Sequence, residues 1–175
     1  SFAILYPEMI EKLVIMNAPH PLGYLNALKT SRQLLNSWYM LFFQLPILPE
    51  IFMSLNDYKF MANSLTKSSA NPENAFSDED ISYFLSGIKR PGAVRAMINY
   101  YRALLRYMPK REIEPIEVPT LVIWGEKDFF LRKDVNNELE KYVPNVKIKY
   151  FPEASHWVHK DDPEGVNQAL AEFLF

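Results

Sequence analysis

The sequence predicts an α/β fold in which a parallel sheet carries a large helical insertion. Short apolar runs typical of buried strands lie at residues 13–16 and 119–125, and a third strand signal follows at 146–151. Residues 22–108 lack alternation and place apolar side chains three and four residues apart, which indicates helices. Because helical segments separate the strand signals, we expect parallel strands, with roughly 90 residues inserted over an edge of the sheet.

The first strand is predicted from Leu-Val-Ile-Met at residues 13–16, which is short, apolar and partly β-branched. Asn-Ala-Pro-His-Pro-Leu-Gly follows it, and the two prolines and the glycine indicate a loop. Within the helical block, Ser77 followed three residues later by Asp80 predicts the start of a helix.

The last third of the chain alternates between strand and helix signals. After the second strand, residues 132–144 predict a helix that ends at Pro144. Residues 146–150 alternate between apolar and lysine side chains as in a strand. Residues 163–175 place apolar side chains on one face of a final helix.

The composition argues against several classes of function. The 175-residue chain has a net charge of −2 and 23% charged residues, so nothing points to a nucleic acid or an anionic membrane as partner. Without cysteine it can form neither a disulfide framework nor a thiolate zinc site, and three histidines are too few for a histidine metal cluster. We therefore expect no cofactor and no metal.

The beginning of the chain is unusually apolar. It lacks an initiator Met and carries Phe2, Ile4 and Leu5, whereas natural ends tend to be exposed and poorly ordered. We interpret the chain as a piece of a longer protein whose missing N-terminal half of the same fold lies upstream. Residues 38–53 are too interrupted by polar residues and prolines to span a membrane, so we predict a cytoplasmic location, with any upstream anchor or signal left open.

Two reactive side chains follow neighbouring strand ends. Asp128 comes just after the second strand and His156 just after the third, a separation of 156 − 128 = 28 residues. In parallel α/β sheets, reactive groups collect at the carboxyl ends of the strands. An ionised aspartate beside a histidine fixes its tautomer and stabilises the imidazolium, so the histidine can act as a general base.

Other residues compete for these two roles. Glu126 and Asp134 are alternatives to Asp128, although Asp134 fits the first turn of a helix better. His159 is an alternative to His156, although its charged neighbours suggest a solvated position. The combined pattern of a strand followed by Gly-x-x-Asp and a strand followed by Ser-His is more specific than either residue alone.

Two segments resemble the last third of the α/β-hydrolase fold family. They are LVIWGEKDFFL at residues 121–131 and FPEASHWVHKDDPEGVNQALAEFL at residues 151–174. In that family the acid follows one late strand and the catalytic histidine follows the last. The resemblance therefore implies that Asp128 is the orienting acid and His156 the base.

The first residues also fit this family. SFAILYPEMIEKLVIMNAPHP, at residues 1–21, is similar to the segment just after the family's nucleophile elbow. The resemblance implies the C-terminal part of an α/β-hydrolase fold, with a parallel sheet and an inserted helical cap. The expected division is a core of residues 1–19 and 113–175 and a cap of residues 20–112.

The inserted block resembles the cap of epoxide hydrolases from this family. The likeness rests on SWYMLFFQLPILPE at residues 37–50 and INYYRALLRYMP at residues 98–109. Those caps place two tyrosines over the nucleophile, and the matching positions are Tyr39 and Tyr101. Tyr100 is an alternative on a different helix face, and Tyr101 is preferred because an arginine follows it, as in the motif.

The implied reaction adds water to an epoxide through a covalent aspartyl ester. Tyr39 and Tyr101 would stabilise the charge on the epoxide oxygen, and His156, held by Asp128, would activate the water that cleaves the ester. The implied substrates are a small apolar epoxide and water. Apolar pocket walls are predicted at Trp38, Phe42, Phe43 and Trp157.

The nucleophile is not among the 175 residues, which contain no Gly-x-Ser-x-Gly or equivalent elbow. We expect it just upstream of Ser1, and we expect the chain alone to be inactive. A haloalkane or haloacid dehalogenase and a serine esterase of the same fold are alternatives, which the elbow residue would distinguish. A non-catalytic binding protein on the same scaffold is the alternative from another class.

Overall fold

The computed structural model describes residues 2–29, 31–107 and 114–175, apart from the side chains of residues 31 and 32. Contacts divide the chain into two compact units. Residues 1–36 and 111–175 form the sheet unit, and residues 37–110 form the helical unit. Each unit has its own hydrophobic core, as expected of separately packed bodies.

The predicted cap boundaries stay a prediction. Residues 20–36, which we assigned to the cap, belong to the sheet unit. The predicted end of the cap at residue 112 lies in the segment 108–113, outside the described residues.

The sheet unit is built on three parallel strands in the order β1-β2-β3. They are β1 (Leu13–Met16), β2 (Thr120–Gly125) and β3 (Val146–Phe151). In the register, Met16 lies opposite Ile123, and Gly125 lies opposite Phe151. The three strands therefore end at one edge of the sheet, and the predicted α/β fold with a parallel sheet is confirmed.

The central strand β2 is buried along its whole length. Val122 and Trp124 belong to the hydrophobic cluster on one face, and Leu121 and Ile123 to the cluster on the other. Side chains of a strand alternate between the two faces, so a strand covered on both sides needs apolar residues at every position. This explains the uninterrupted apolar run from which the strand was predicted.

Nine helices occur in the described ranges. In chain order they are α1 (Phe2–Leu5), α2 (Pro21–Ala27), α3 (Ser31–Asn36), α4 (Trp38–Phe42), α5 (Leu48–Lys67), α6 (Asp78–Ile88), α7 (Ala93–Arg106), α8 (Val158–Asp161) and α9 (Pro163–Leu174). Short 3₁₀ turns cover Pro7–Met9, Lys133–Asn136 and Leu139–Lys141. Helices α4 to α7 belong to the helical unit, and the others belong to the sheet unit.

The predicted helix at residues 132–144 is wrong. Two 3₁₀ turns, Lys133–Asn136 and Leu139–Lys141, stand in its place. Glu138 has a φ of 62°, in the left-handed region, and this breaks the helical path between them. Leu139 is nevertheless buried, which explains its contribution to the apolar spacing.

The helical unit packs around a cluster of buried side chains from α5 and α7 and from the end of α4. The buried members are Phe43, Met53, Met61, Val94 and Ile98. Helix α5 bends sharply because Leu55–Tyr58 have non-helical dihedral angles.

Helix α6 begins at a capping box: Ser77 Oγ accepts from the N–H of Asp80 at 3.1 Å, and the Ser77 N–H donates to the Asp80 carboxylate at 3.0 Å. The predicted helix start is therefore confirmed.

The most membrane-like stretch of the sequence, residues 38–53, is divided between two helices. Helix α4 ends at Phe42, and α5 begins at Leu48 after a link in which Ile47 has a φ of 66°. Among the described residues, no helix is both long enough and apolar enough to cross a membrane.

Candidate active site

Asp128 lies in the loop that follows β2, residues 126–132, which we call the acid loop. Strand β2 ends at Gly125, so only two residues separate the buried strand from the aspartate. The Asp128 side chain has 0% of its surface exposed. A carboxylate so completely removed from water must be compensated by hydrogen-bond donors.

Among the described residues, four donors surround the Asp128 carboxylate. The backbone N–H groups of Phe130 and Leu131 donate to Oδ1 at 2.8 and 2.9 Å. Asn17 Nδ2 donates to Oδ2 at 2.8 Å, and His156 Nδ1 lies 2.7 Å from the same oxygen. Both oxygens are thus held, and the orientation of the carboxylate is fixed.

His156 lies in the loop that follows β3, residues 152–157, which we call the histidine loop. An ionised carboxylate can only accept hydrogen bonds, so the contact with Asp128 assigns the ring hydrogen to Nδ1 and leaves Nε2 to accept a proton. The rings of Phe130 and Trp157 stand edge-on to the imidazole, with centroid distances of 5.4 and 5.2 Å. The structure thus brings together the two residues singled out from the sequence.

Asn17 is a residue that our sequence analysis missed. It follows β1 directly, and its side-chain amide joins the ends of β1 and β2. Asn17 Oδ1 accepts from the Gly125 N–H at 2.8 Å, while Nδ2 donates to Asp128. The sequence carried a signal for it, because Asn17, like Asp128 and His156, is a polar residue just beyond a strand end.

Helix α3 holds the acid loop from another side. Gln33 is fully buried, and its amide donates to the carbonyl of Phe130 at 3.0 Å and accepts from the N–H of Arg132 at 3.1 Å. Asn36 Nδ2 donates to the carbonyl of Phe129 at 3.0 Å. No motif in the sequence predicted these contacts, because they join segments that lie more than 90 residues apart.

The histidine loop approaches β2 closely at Gly125. A Cβ atom at this position would lie 2.0 Å from the carbonyl oxygen of Ser155 and 2.6 Å from that of Ala154. The Lys127 N–H donates to the same Ala154 carbonyl at 2.9 Å. Ser155 in turn donates to Asp161 from its backbone N–H and its hydroxyl, at 2.7 and 2.5 Å. The backbone that leads into His156 is therefore held in place.

The competing acids have other partners. Glu126 accepts from Lys133 Nζ at 2.6 Å, and this bond raises the pKa of Lys133. Asp134 accepts from Arg132 at 3.4 Å and lies in the first turn of a 3₁₀ helix. Of the three candidate acids, Asp128 is the one that the structure places against His156.

The two candidate tyrosines pack against each other within the helical unit. Tyr39 of α4 and Tyr101 of α7 have ring centroids 5.8 Å apart and nearly perpendicular rings. Both also contact Phe43. Tyr100, the alternative to Tyr101, contacts its neighbour edge to face, but 66% of its own surface is exposed.

Arg102 connects the elements that carry the two tyrosines. It donates to the carbonyls of Phe43 and Leu45, which follow α4, at 2.8 and 2.5 Å. It also forms a two-pronged ion pair with Glu50, with distances of 2.6 and 3.1 Å. The arginine's hydrogen bonds are the main cause of the lowered pKa of Glu50.

The residues predicted as pocket walls occupy different environments. Phe43 is buried and Phe42 is half-buried in the helical unit, whereas Trp38 is 59% exposed. Trp157 lies in the sheet unit beside His156. Their role in lining a substrate pocket stays a prediction.

His20, to which we assign no catalytic role, caps α2. Its Nδ1 accepts from the Leu22 N–H at 3.3 Å, and its ring stacks on that of Tyr142 at 4.9 Å. Burial lowers the pKa of His20, which favours the neutral ring that this cap requires. In the described part of the chain, no group of three or more acidic, histidine or cysteine side chains is arranged to hold a metal ion.

Comparison with known proteins identifies the class. The sequence matches the family described as alpha/beta hydrolase fold over residues 1–163. This match covers most of the chain. The chain therefore belongs to the alpha/beta hydrolase fold family.

Individual relatives show which members of this family the chain resembles. Epoxide hydrolase 3 of Xenopus tropicalis is 36% identical over 179 residues, which cover 99% of this chain and 48% of that protein. Epoxide hydrolase 4 of Homo sapiens is 35% identical over 177 residues, covering 98% of this chain and 49% of that protein. The chain thus spans about half the length of the curated relatives it matches.

A solved structure gives the same result. The epoxide hydrolase of Bacillus megaterium, crystallised in complex with an inhibitor, superposes with a TM-score of 0.84 and is 28% identical. The superposition covers 99% of this chain and 63% of that one. The predicted likeness to epoxide hydrolases of the alpha/beta hydrolase fold is confirmed.

Proposed function

We propose that the protein is an enzyme that adds water to a small apolar epoxide. The observation that carries the proposal is the buried Asp128 carboxylate held 2.7 Å from His156 Nδ1, which leaves Nε2 available as a base. The choice of an epoxide is supported by the packed tyrosines Tyr39 and Tyr101 and by relatives that are named epoxide hydrolases.

In the proposed first step, an aspartate nucleophile attacks one carbon of the epoxide and the C–O bond to that carbon breaks. Negative charge develops on the epoxide oxygen, where Tyr39 and Tyr101 donate hydrogen bonds and one supplies the proton. The products of this step are an aspartyl ester and a free hydroxyl on the neighbouring carbon.

In the second step, His156 Nε2 takes a proton from water, and the resulting hydroxide attacks the ester carbonyl. The ester bond breaks, and the diol leaves with the proton returned from His156. The nucleophile is then a carboxylic acid, and its proton passes to the tyrosine that gave up a proton in the first step, which regenerates both the aspartate and the phenol. Asp128 stabilises the imidazolium that forms between these events. Water is the second substrate, and the cycle needs neither a metal nor a cofactor.

The proposal places the nucleophile upstream of residue 1, because the 175 residues contain no Gly-x-Ser-x-Gly or equivalent elbow. It follows that the 175-residue chain alone should not turn over substrate. Trp38, Phe42, Phe43 and Trp157 are the proposed apolar walls, and they would favour an apolar epoxide over a charged one.

The test is to assay styrene oxide hydrolysis by the protein extended with its upstream coding sequence, beside the 175-residue chain. We expect diol from the extended protein alone. Tyr39→Phe and Tyr101→Phe should each lower kcat by about a hundredfold, the usual effect of losing one oxyanion donor. Tyr100→Phe, one residue away and mostly exposed, is the matched control and should retain activity.

A single turnover in ¹⁸O-labelled water tests the ester. If the new hydroxyl comes from the aspartate, the first diol contains no ¹⁸O, whereas direct attack by water would label it at once. Full activity of the Tyr39→Phe, Tyr101→Phe double variant would contradict the role of the tyrosines. Halide release from a chloroalkane, or ester cleavage without epoxide turnover, would assign the site to a different hydrolase.

A further inference from the structure

Asn17 occupies a constrained position at the end of β1. It has a φ of 40°, in the left-handed region that asparagine tolerates better than most residues, and only 2% of its surface is exposed. Its backbone N–H donates to the carbonyl of Ile123 at 3.1 Å, which continues the pairing of β1 with β2. The two strands are therefore already joined at this point without the Asn17 side chain.

The orientation of the Asn17 amide follows from its partners. The Gly125 N–H can only donate, so the oxygen of the amide must face it, at 2.8 Å. This leaves the NH₂ group to face Asp128, whose Oδ2 it meets at 2.8 Å. In the opposite orientation, the amide oxygen of Asn17 would face the Asp128 carboxylate and its NH₂ group would face the Gly125 N–H, and neither pair could form a hydrogen bond.

Asn17 and His156 thus donate to the same oxygen of Asp128. We propose that Asn17 is a positioning residue: it holds Asp128 Oδ2 in the direction of His156 Nδ1 and thereby fixes the imidazole tautomer with Nε2 free. The backbone donors of Phe130 and Leu131 hold only Oδ1 and leave the carboxylate able to tilt about that oxygen. The amide of Asn17 removes this freedom.

The chemistry of the position explains why an amide is suited to it. Aspartate would set a second carboxylate against Asp128, and two such groups in contact cannot both stay ionised. A residue without a side-chain donor would leave the buried Oδ2 with one partner, His156, among the residues that the structure describes. This role rests on the proposed function, because holding the histidine matters only if His156 acts as a base.

The test uses the full chain, ¹⁵N-labelled on histidine, and requires no substrate. Asn17→Gly removes the amide and suits the positive φ, so it adds no backbone strain. The measured quantity is the protection of the His156 Nδ1–H from exchange with water, read by NMR. We expect Asn17→Gly to lower this protection about tenfold, the effect of losing one charge-assisted hydrogen bond.

Asn36→Ala is the matched control. It removes an amide hydrogen bond to the carbonyl of Phe129 in the same acid loop but leaves all four donors to Asp128. It should lower the urea midpoint without changing the His156 signal. An unchanged His156 signal in folded Asn17→Gly would overturn the proposal and leave Asn17 a purely structural link.

A second variant covers the case in which Asn17→Gly does not fold. His156→Phe alters a partly exposed side chain, and the signal of the Asn17 side-chain amide is then observed in protein ¹⁵N-labelled on asparagine. If the two residues share Oδ2, the Asn17 Nδ2–H resonance shifts when the imidazole is removed. An Asn17 signal that does not move would also overturn the proposal. Neither readout depends on epoxide turnover, so failure of the proposed function would be seen separately.

Discussion

The acid loop of the sheet unit and the tyrosine pair of the helical unit are held in different ways. Asp128 is fixed by hydrogen bonds, two of them from backbone N–H groups. Tyr39 and Tyr101 pack their rings against each other and against Phe43. The first arrangement is polar and buried, and the second is aromatic and half-exposed.

The difference has a physical cause. A buried carboxylate is stable only where donors of fixed direction compensate for the lost water, and backbone groups at strand ends supply such donors. A phenol is mostly apolar, so packing can place its ring, and its hydroxyl needs no charge compensation. The comparison predicts that the sheet unit tolerates changes of backbone geometry less well than the helical unit does.

The largest expected effect comes from a pair of glycine substitutions. Gly125→Ala would set a Cβ 2.0 Å from the Ser155 carbonyl, in backbone that cannot move without displacing His156, and should cost about 3 kcal/mol. Gly87→Ala, in α6, meets no atom within 4 Å and should stabilise by about 0.5–1 kcal/mol. Urea unfolding of both variants measures the difference. Equal stability of the two variants would contradict the expectation that the sheet unit tolerates backbone changes less well than the helical unit.

A smaller effect is expected at Arg102. Arg102→Met removes the bonds to Phe43, Leu45 and Glu50 and should cost about 2 kcal/mol, because it leaves two carbonyls and a partly buried carboxylate without this donor. Lys89→Met breaks the exposed pair with Asp57 and should cost less than about 0.5 kcal/mol. Similar losses in thermal unfolding would show that Arg102 is an ordinary surface charge.

The pH dependence of stability tests whether the ion pair causes the loss at Arg102. Arg102 lowers the pKa of Glu50 below its ordinary value of 4.5, so the stability from this pair is present above pH 4.5 and is lost as pH falls through the folded-state pKa. The gap in stability between the wild type and Arg102→Met should therefore narrow in acid. A gap that stayed constant down to pH 3 would exclude the ion pair as its source.

The smallest effect is expected at His20, which lies in the sheet unit outside the proposed chemistry. Burial lowers its pKa below 6.5, so the unfolded chain binds this proton more readily than the folded chain. The associated stability is present above pH 6.5 and is lost as pH falls below it. His20→Asn, which can still cap α2, should lose less stability than the wild type between pH 7.5 and 5. Parallel urea midpoints across that range would contradict this expectation.

Sequence reasoning succeeded where local pattern and burial agree. The first two strands were predicted from apolar runs, which β2 needs because it is covered on both faces, and the third from its alternation of apolar and lysine side chains. The start of α6 was predicted because Ser77 and Asp80 form a capping box locally. The helix predicted at residues 132–144 failed because Glu138 takes a left-handed conformation that apolar spacing does not encode. Leu139 is buried in a 3₁₀ turn, and such a turn spaces apolar residues in a way similar to an α-helix.

The sequence by itself determined that an acid and a histidine follow successive parallel strands, because strand ends are encoded by local runs of apolar residues. The strand pattern alone left Glu126, Asp128 and Asp134 as alternatives, since all three lie within one short segment, and the family resemblance implied Asp128. The tertiary structure places Asp128 against His156 and gives the other two acids different partners. It also added Asn17 and Gln33, whose partners in the acid loop lie far along the chain. Such contacts depend on strand register and helix packing, which no local pattern specifies.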